Sequence, residues 1–230
     1  MKLSFLSLTA LVPFAAAHFK LDYPLSRGFD EDTMPSFPCG GMSQSSKRTV
    51  LSLSEDAIPV ALTMGHSQTA VQVLLGLGND PGDNFNITLV PTFRLTGLGA
   101  FCLPHVSLDE KTLGVPLTDG MNATLQVVTN GDPNGGLYAC ADITFSKTVQ
   151  NDNPTNCKNN TGISATPFSG AAAARNANES TADGQAQSGA GSSPSGSGAA
   201  APTSTGGAVP LETAAWGIVG AAIIGGLAVL

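Results

Sequence analysis

Basic residues, aromatics and histidines are all scarce in this sequence. Lys and Arg number 10 against 17 Asp and Glu, a formal net charge of -7 over 230 residues. No cluster of positive charge is available to grip a phosphate backbone or an anionic lipid surface, so nucleic acid is excluded as a partner. Aromatic residues make up 6%, with two tyrosines and a single tryptophan, Trp216, which lies in an apolar C-terminal tail. That leaves no flat aromatic platform for crystalline glycan. The 4 cysteines contain no Cys-x-x-Cys pair, which argues against a zinc site.

The targeting signals are what is plainly present. Met1-Lys2, an apolar run from Leu3 to Ala16 and the small residues Ala15-Ala16-Ala17 predict a secretory signal over residues 1–17. The run is too short for a membrane span. At the other end, Trp216 to Leu230 is apolar, follows a polar spacer and small residues such as Ser204, Thr205, Gly206 and Gly207, and has no charge after it. That order predicts a glycosylphosphatidylinositol (GPI) attachment signal over residues 208–230, removed on attachment. The expected location is the outer leaflet of the plasma membrane, with the cell wall as the extracellular alternative.

Secretion gives meaning to two further patterns. Asn86, Asn122, Asn159 and Asn178 each open an Asn-x-Ser/Thr acceptor for N-glycosylation. Cys39, Cys102, Cys140 and Cys157 form an even set in an oxidising compartment, which predicts two disulfides with three pairings open.

Residues 162–207 are rich in Ser, Ala, Gly and Thr, with too little apolar surface to offset the entropy of ordering, and read as a disordered stalk. Residues 18–161 remain as one domain. Short β-prone runs fall at 49–53, 58–64, 70–75, 86–90, 100–103, 123–129 and 137–145, separated by turns such as Asn79-Asp80-Pro81-Gly82-Asp83 and Asn130-Gly131-Asp132-Pro133-Asn134-Gly135-Gly136. The pattern predicts an all-β protein, an antiparallel β-sandwich with long loops. The segment from Pro24 to Ser46 is expected to wrap over it, held by Cys39.

Cleavage after Ala17 makes His18 a ligand in two senses, since its free amine and its imidazole can close one chelate ring on a metal. A second imidazole would complete a three-nitrogen set of the kind that favours Cu(II). His66 and His105, both near strand ends, are the available partners, and position alone barely separates them. Cleavage two residues earlier would instead leave Ala16-Ala17-His18, which could bind Cu(II) through amine, amides and imidazole without a partner. A lone histidine at a strand end is ordinarily a surface residue, and Asp142, on the polar face of its strand, would ordinarily be solvated. Asp119 and Asp132 are weaker carboxylate candidates. Tyr23 and Tyr138 read as packing residues, Met42, Met64 and Met121 as filler, and Arg27 as a partner for a carboxylate in the opening loop.

His18-Phe19, Tyr23-Pro24-Leu25-Ser26-Arg27-Gly28-Phe29, Pro38-Cys39-Gly40-Gly41 and Gly136-Leu137-Tyr138-Ala139-Cys140-Ala141-Asp142-Ile143 together resemble a fungal family. It is that of copper-binding, GPI-anchored proteins similar to lytic polysaccharide monooxygenases, including copper acquisition factors. The resemblance spans most of the stretch from His18 to Phe145 and does not cover the stalk. It implies an immunoglobulin-like sandwich binding one copper per chain through His18, His66 and Asp142, with Cys39 joined to Cys140 and Cys102 to Cys157. It also implies a monomer that handles copper, with a copper transporter as candidate partner, rather than one that cleaves glycans. A carboxylate in the coordination sphere would fill a position that oxygen chemistry prefers open. The competing readings are a copper-dependent polysaccharide monooxygenase and a metal-free structural or adhesive wall glycoprotein.

Overall fold

Alternation along the strands decides the architecture. In Val71-Gln72-Val73-Leu74-Leu75 and Ala123-Thr124-Leu125-Gln126-Val127, successive side chains point to opposite faces, so Val71, Val73, Leu75, Ala123, Leu125 and Val127 form one apolar surface. The computed structural model describes residues 18–131, 135–151 and 157–179. The expected signal at 1–17, the attachment signal at 208–230, the stalk from residue 180 and Asp132 lie outside the described residues.

The strands are β1 (Phe19–Tyr23), β2 (Thr49–Ser52), β3 (Ala57–Met64), β4 (Gln68–Leu77), β5 (Ile87–Thr96), β6 (Gly99–Ser107), β7 (Asn122–Asn130), β8 (Gly136–Ser146) and β9 (Ser164–Pro167). One helical turn, α1 (Glu110–Leu113), and two 3-10 turns at Gly170–Ala174 and Ala177–Glu179 are the helical elements among the described residues. Sheet order is β1-β3-β6 in a three-stranded sheet and β2-β8-β7-β4-β5-β9 in a six-stranded one. Their inner faces meet in a core in which Phe19, Leu62 and Ile58 from the smaller sheet and Leu75, Leu125, Ile143 and Phe145 from the larger are essentially removed from water. The all-β sandwich is the fold expected, though not a purely antiparallel one, because β2 pairs with β8 in parallel.

β1 and β9 are additions to the expected strands. β1 directly follows His18 and pairs antiparallel with β3 from Phe19 opposite Met64 to Tyr23 opposite Ala61. β9 corrects the domain boundary. Ser164–Pro167 pairs antiparallel with β5, and Ala177, in the following turn, is fully buried in a cluster with Ala70, Val128 and Tyr138. Folded structure therefore continues past 161 through the described residues up to Glu179. Its last segment docks through backbone ladder bonds and a few small side chains, which composition does not register.

The opening segment crosses the larger sheet as expected, and the contacts explain why. The β8 edge is covered by β2 from Ile143 onward, and Ser26 to Met34 covers the part before it. Arg27 N donates to the Cys140 carbonyl at 2.8 Å and Tyr138 N to the Met34 carbonyl at 3.0 Å. Cys39 is joined to Cys140 and Cys102 to Cys157, the pairing the resemblance implied. Gly40, at φ 63°, lies so close to β8 that a Cβ there would stand 2.6 Å from the Tyr138 carbonyl oxygen.

A chain ending at Thr161 should leave the β5 edge unpaired and bare the patch over Val128. We expect its melting temperature, read by circular dichroism, to fall roughly 5 °C or more below that of a chain ending at Ser180. Equal melting temperatures would show that the segment contributes nothing to the fold.

Candidate metal centre

The register of β1 on β3 sets the main chain of His18 beside the residue that precedes His66. Phe19 pairs with Met64, so the residue before β1, His18, meets the residue after β3, Gly65. Gly65 N donates to the His18 carbonyl at 2.9 Å. A Cβ at Gly65 would stand 2.6 Å from that oxygen and 4.0 Å from His18 N, so glycine is required here by close approach. His66 is the next residue along, in the short link from the smaller sheet to β4 in the larger. His105 is at the other end of the smaller sheet. Its neighbour Val106 pairs with Ile58, whereas Met64 pairs with Gly99, a separation of roughly 15–20 Å along the strand.

Each imidazole is oriented by a main-chain carbonyl. His18 Nε2 lies 3.1 Å from the Glu31 carbonyl oxygen, which only an N–H can satisfy, so in the neutral ring Nε2 is the donor and Nδ1 the bare nitrogen. His66 Nδ1 lies 2.7 Å from the Gln68 carbonyl oxygen and 3.4 Å from Gln68 N. The shorter contact decides the tautomer, making Nδ1 the donor and Nε2 the bare nitrogen. In His18 the bare nitrogen is the one on the same side of the ring as the main-chain amine. That donor set fits a chelating first residue with a second imidazole completing the nitrogens, the chemistry copper favours.

Sequence reasoning missed Glu31. Its carboxylate reaches 4.0 Å from His18 Nδ1 and is largely exposed. Nothing in the run Asp30-Glu31-Asp32 separates it from its neighbours, since its placement depends on the wrapped segment.

Asp142 is not brought to the histidines. Its side chain is wholly buried beneath the opening segment, rather than solvated on the outer face of β8. Oδ2 accepts from Arg27 Nε at 2.9 Å and Ser45 N at 2.7 Å, while Oδ1 accepts from Arg27 Nη2 at 2.8 Å and Thr124 Oγ1 at 2.9 Å. Arg27 thus pairs with a strand carboxylate and not with one in its own loop. Burial drives the Asp142 pKa up, but the guanidinium, the Ser45 N–H and the Thr124 hydroxyl outweigh it and hold the carboxyl below its usual range.

The remaining candidates fall into structural places. Asp119 accepts from Lys147 N at 2.7 Å. Met64 is a core residue, Met121 packs against that core, and Tyr138 is buried with its hydroxyl accepting from Asn178 Nδ2. Of the acceptor asparagines, Asn86 and Asn159 are exposed, whereas Asn122 and Asn178 are half-buried. Among the described residues no group of three or more His, Cys, Asp and Glu side chains converges.

Comparison with known proteins follows the same line. A family model described as copper acquisition factor BIM1-like matches residues 16–162. An uncharacterised protein of Aspergillus fumigatus is 65% identical over 242 residues, covering 100% of both chains. The lytic polysaccharide monooxygenase-like protein X325 of Yarrowia lipolytica is 33% identical over 194 residues, 81% of this chain and 70% of that protein. Copper acquisition factor BIM1 of Cryptococcus neoformans var. grubii is 31% identical over 162 residues, 68% of this chain and 72% of that one.

The Asp142 carboxyl yields a prediction with a definite sign. Its folded pKa is lowered, so the stability it contributes is present above the unfolded value of about 3.9 and is lost as pH falls through the lower folded value. Asp142→Asn strands the Arg27 charge, and we expect it to cost about 3–5 kcal/mol at pH 7 in denaturant unfolding. The gap to the parent should begin to narrow below about pH 4, where the unfolded parent's carboxyl takes up a proton, and close as pH falls through the lower folded value. A gap independent of pH would assign the loss to packing instead.

Proposed function

The chain belongs to the BIM1-like copper acquisition factor family, and from that membership we propose that it binds one copper ion outside the cell through a brace of His18 and His66. The observation that supports this reading most is the paired hydrogen bonding of the rings. Carbonyl acceptors take the proton of His18 Nε2 and of His66 Nδ1, which leaves His18 Nδ1 and His66 Nε2 as ligands. Removal of residues 1–17 would add the His18 amine as a third nitrogen. A copper ion held there would supply one-electron redox chemistry and a strong preference for nitrogen donors.

In this reading Asp142 holds the framework and the two histidines hold the metal. Gly65 sets how closely the first residue can approach the His66 link, and the Glu31 carbonyl sets the rotation of the His18 ring. The anchor predicted at 208–230 would keep the domain at the outer leaflet, where captured copper can pass to a transporter. We place capture and transfer ahead of glycan oxidation because the sequence upstream of Trp216 has two tyrosines and no tryptophan to form a flat glycan-binding plane.

Titration of the secreted protein with Cu(II), followed by electron paramagnetic resonance, should give one equivalent per chain with nitrogen hyperfine structure. His66→Ala and an extra alanine before His18 should each weaken binding at least tenfold, about 1.4 kcal/mol or more. Unchanged affinity in both variants sinks the brace. Loss in neither His66→Ala nor His105→Ala, with loss on N-terminal extension, would point instead to Ala16-Ala17-His18.

A further inference from the structure

The outer face of the larger sheet carries a buried polar atom with nothing to bond. Gln126, midway along β7, is 0% exposed and points away from the core, beside Leu74 of β4 and Cys140 of β8. Its Nε2 donates to the Pro38 carbonyl at 2.7 Å, which fixes the orientation of the amide. Its Oε1 has no hydrogen-bond partner among the described residues. A buried carbonyl oxygen in that state is costly unless a ligand or water answers it.

Gln126 also lines a cavity of about 310 Å³, the size of a small-ligand site. The sheet forms its floor, and three covering segments form its walls: the strap around Phe37, tied down by the Cys39–Cys140 bond, the stretch from Asp83 to Thr88, and the 3-10 turn that carries Asn178. Phe37 is half-exposed, and its ring meets that of Tyr138 edge-on at 5.3 Å and 82°. Among the described residues no Lys, Arg or His lines the cavity, and the one formal charge there is the Asp83 carboxylate. Side-chain amides of Gln72, Asn86 and Asn176 supply most of the remaining polarity.

This chemistry selects a ligand class. Acceptor oxygens without a cation repel phosphates and carboxylates. A lone rim carboxylate among neutral amides suits a neutral ligand better than a cationic one. An aromatic ring beside planar amides matches a molecule with an apolar face and a girdle of hydroxyls. We propose that the cavity binds one pyranose unit, a neutral hexose or an N-acetylhexosamine, which donates a hydroxyl or amide hydrogen to Gln126 Oε1 and lies against Phe37. Two sources share that chemistry: an oligosaccharide from outside, and the first sugar of a glycan on Asn86, which is exposed and lines the same cavity. The cavity shares no lining residue with the histidine pair, so the inference stands apart from the copper reading.

The test uses the secreted chain made in a bacterial periplasm, which attaches no N-glycan, and in a yeast. Di-N-acetylchitobiose and cellobiose are titrated into each and followed by nuclear magnetic resonance, with Phe37→Ala and Gln126→Ala as variants. Phe37→Ala removes a half-exposed ring, so it keeps the test valid if Gln126→Ala fails to fold. An outside ligand predicts saturable binding to both preparations, weakened at least tenfold by Phe37→Ala. An Asn86 glycan predicts binding to the bacterial protein alone, occupancy of Asn86 by mass spectrometry in the yeast protein, and a higher melting temperature for the latter. No binding to the bacterial protein, or binding that Phe37→Ala leaves unchanged, overturns the proposal.

Discussion

A guanidinium and a carboxylate sealed between β8 and the opening segment set the conditions for much of the molecule. Neither charge could be buried alone, because desolvation would cost several kcal/mol for each. Together Arg27, Thr124 and Ser45 meet both oxygens of Asp142 with four hydrogen bonds, and the arrangement works in one alignment of chain over sheet. Cys140 lies two residues from Asp142 on the same face of β8 and is bonded to Cys39. The opening chain is thereby held at Arg27, Cys39 and Ser45, and β8, which would otherwise show a polar face to water, is buried on both sides.

The consequence reaches the first residue of the domain. Phe19 and Leu21 are buried in the core, so a one-residue slip of β1 along β3 would turn both out to solvent. That register sets His18 against Gly65. The rotation of the His18 ring comes from a different part of the chain, the Glu31 carbonyl, which belongs to the segment held over β8. One histidine is therefore placed by the core of one sheet and oriented by a strap across the other, and the far-off ion pair becomes part of how that ring is held.

The legible parts of this design were those carried by local pattern. Alternation in β3, β4, β7 and β8 revealed the sandwich. Which histidine lies beside His18 in the chain's register was not legible locally, because it depends on the antiparallel pairing that sets Met64 at one end of the smaller sheet and Ile58 at the other. Asp142 was misleading for a related reason. Period-two reading assigns it to the outer face correctly, but whether that face is wet depends on a segment more than 90 residues earlier, as the separation of 97 between Ser45 and Asp142 records. β9 was hidden because Ser, Ala, Thr and Pro can pair through their backbones while looking like linker.

The division of labour between charges bears on how a brace here would hold copper. The carboxylate that the resemblance offered as a ligand, Asp142, is neutralised by Arg27 and shut away from solvent. The histidine rings are oriented by neutral main-chain carbonyls, which fix a tautomer without adding negative charge to offset a bound cation. Glu31, the carboxylate near His18 Nδ1, is exposed, so water and salt screen its attraction. A Cu(II) ion in such a site would rest on nitrogen donors at the protein surface, with His18 itself still 19% exposed. Among the described residues the one fully buried carboxylate is thus committed to the framework beneath the opening segment and not to the histidines.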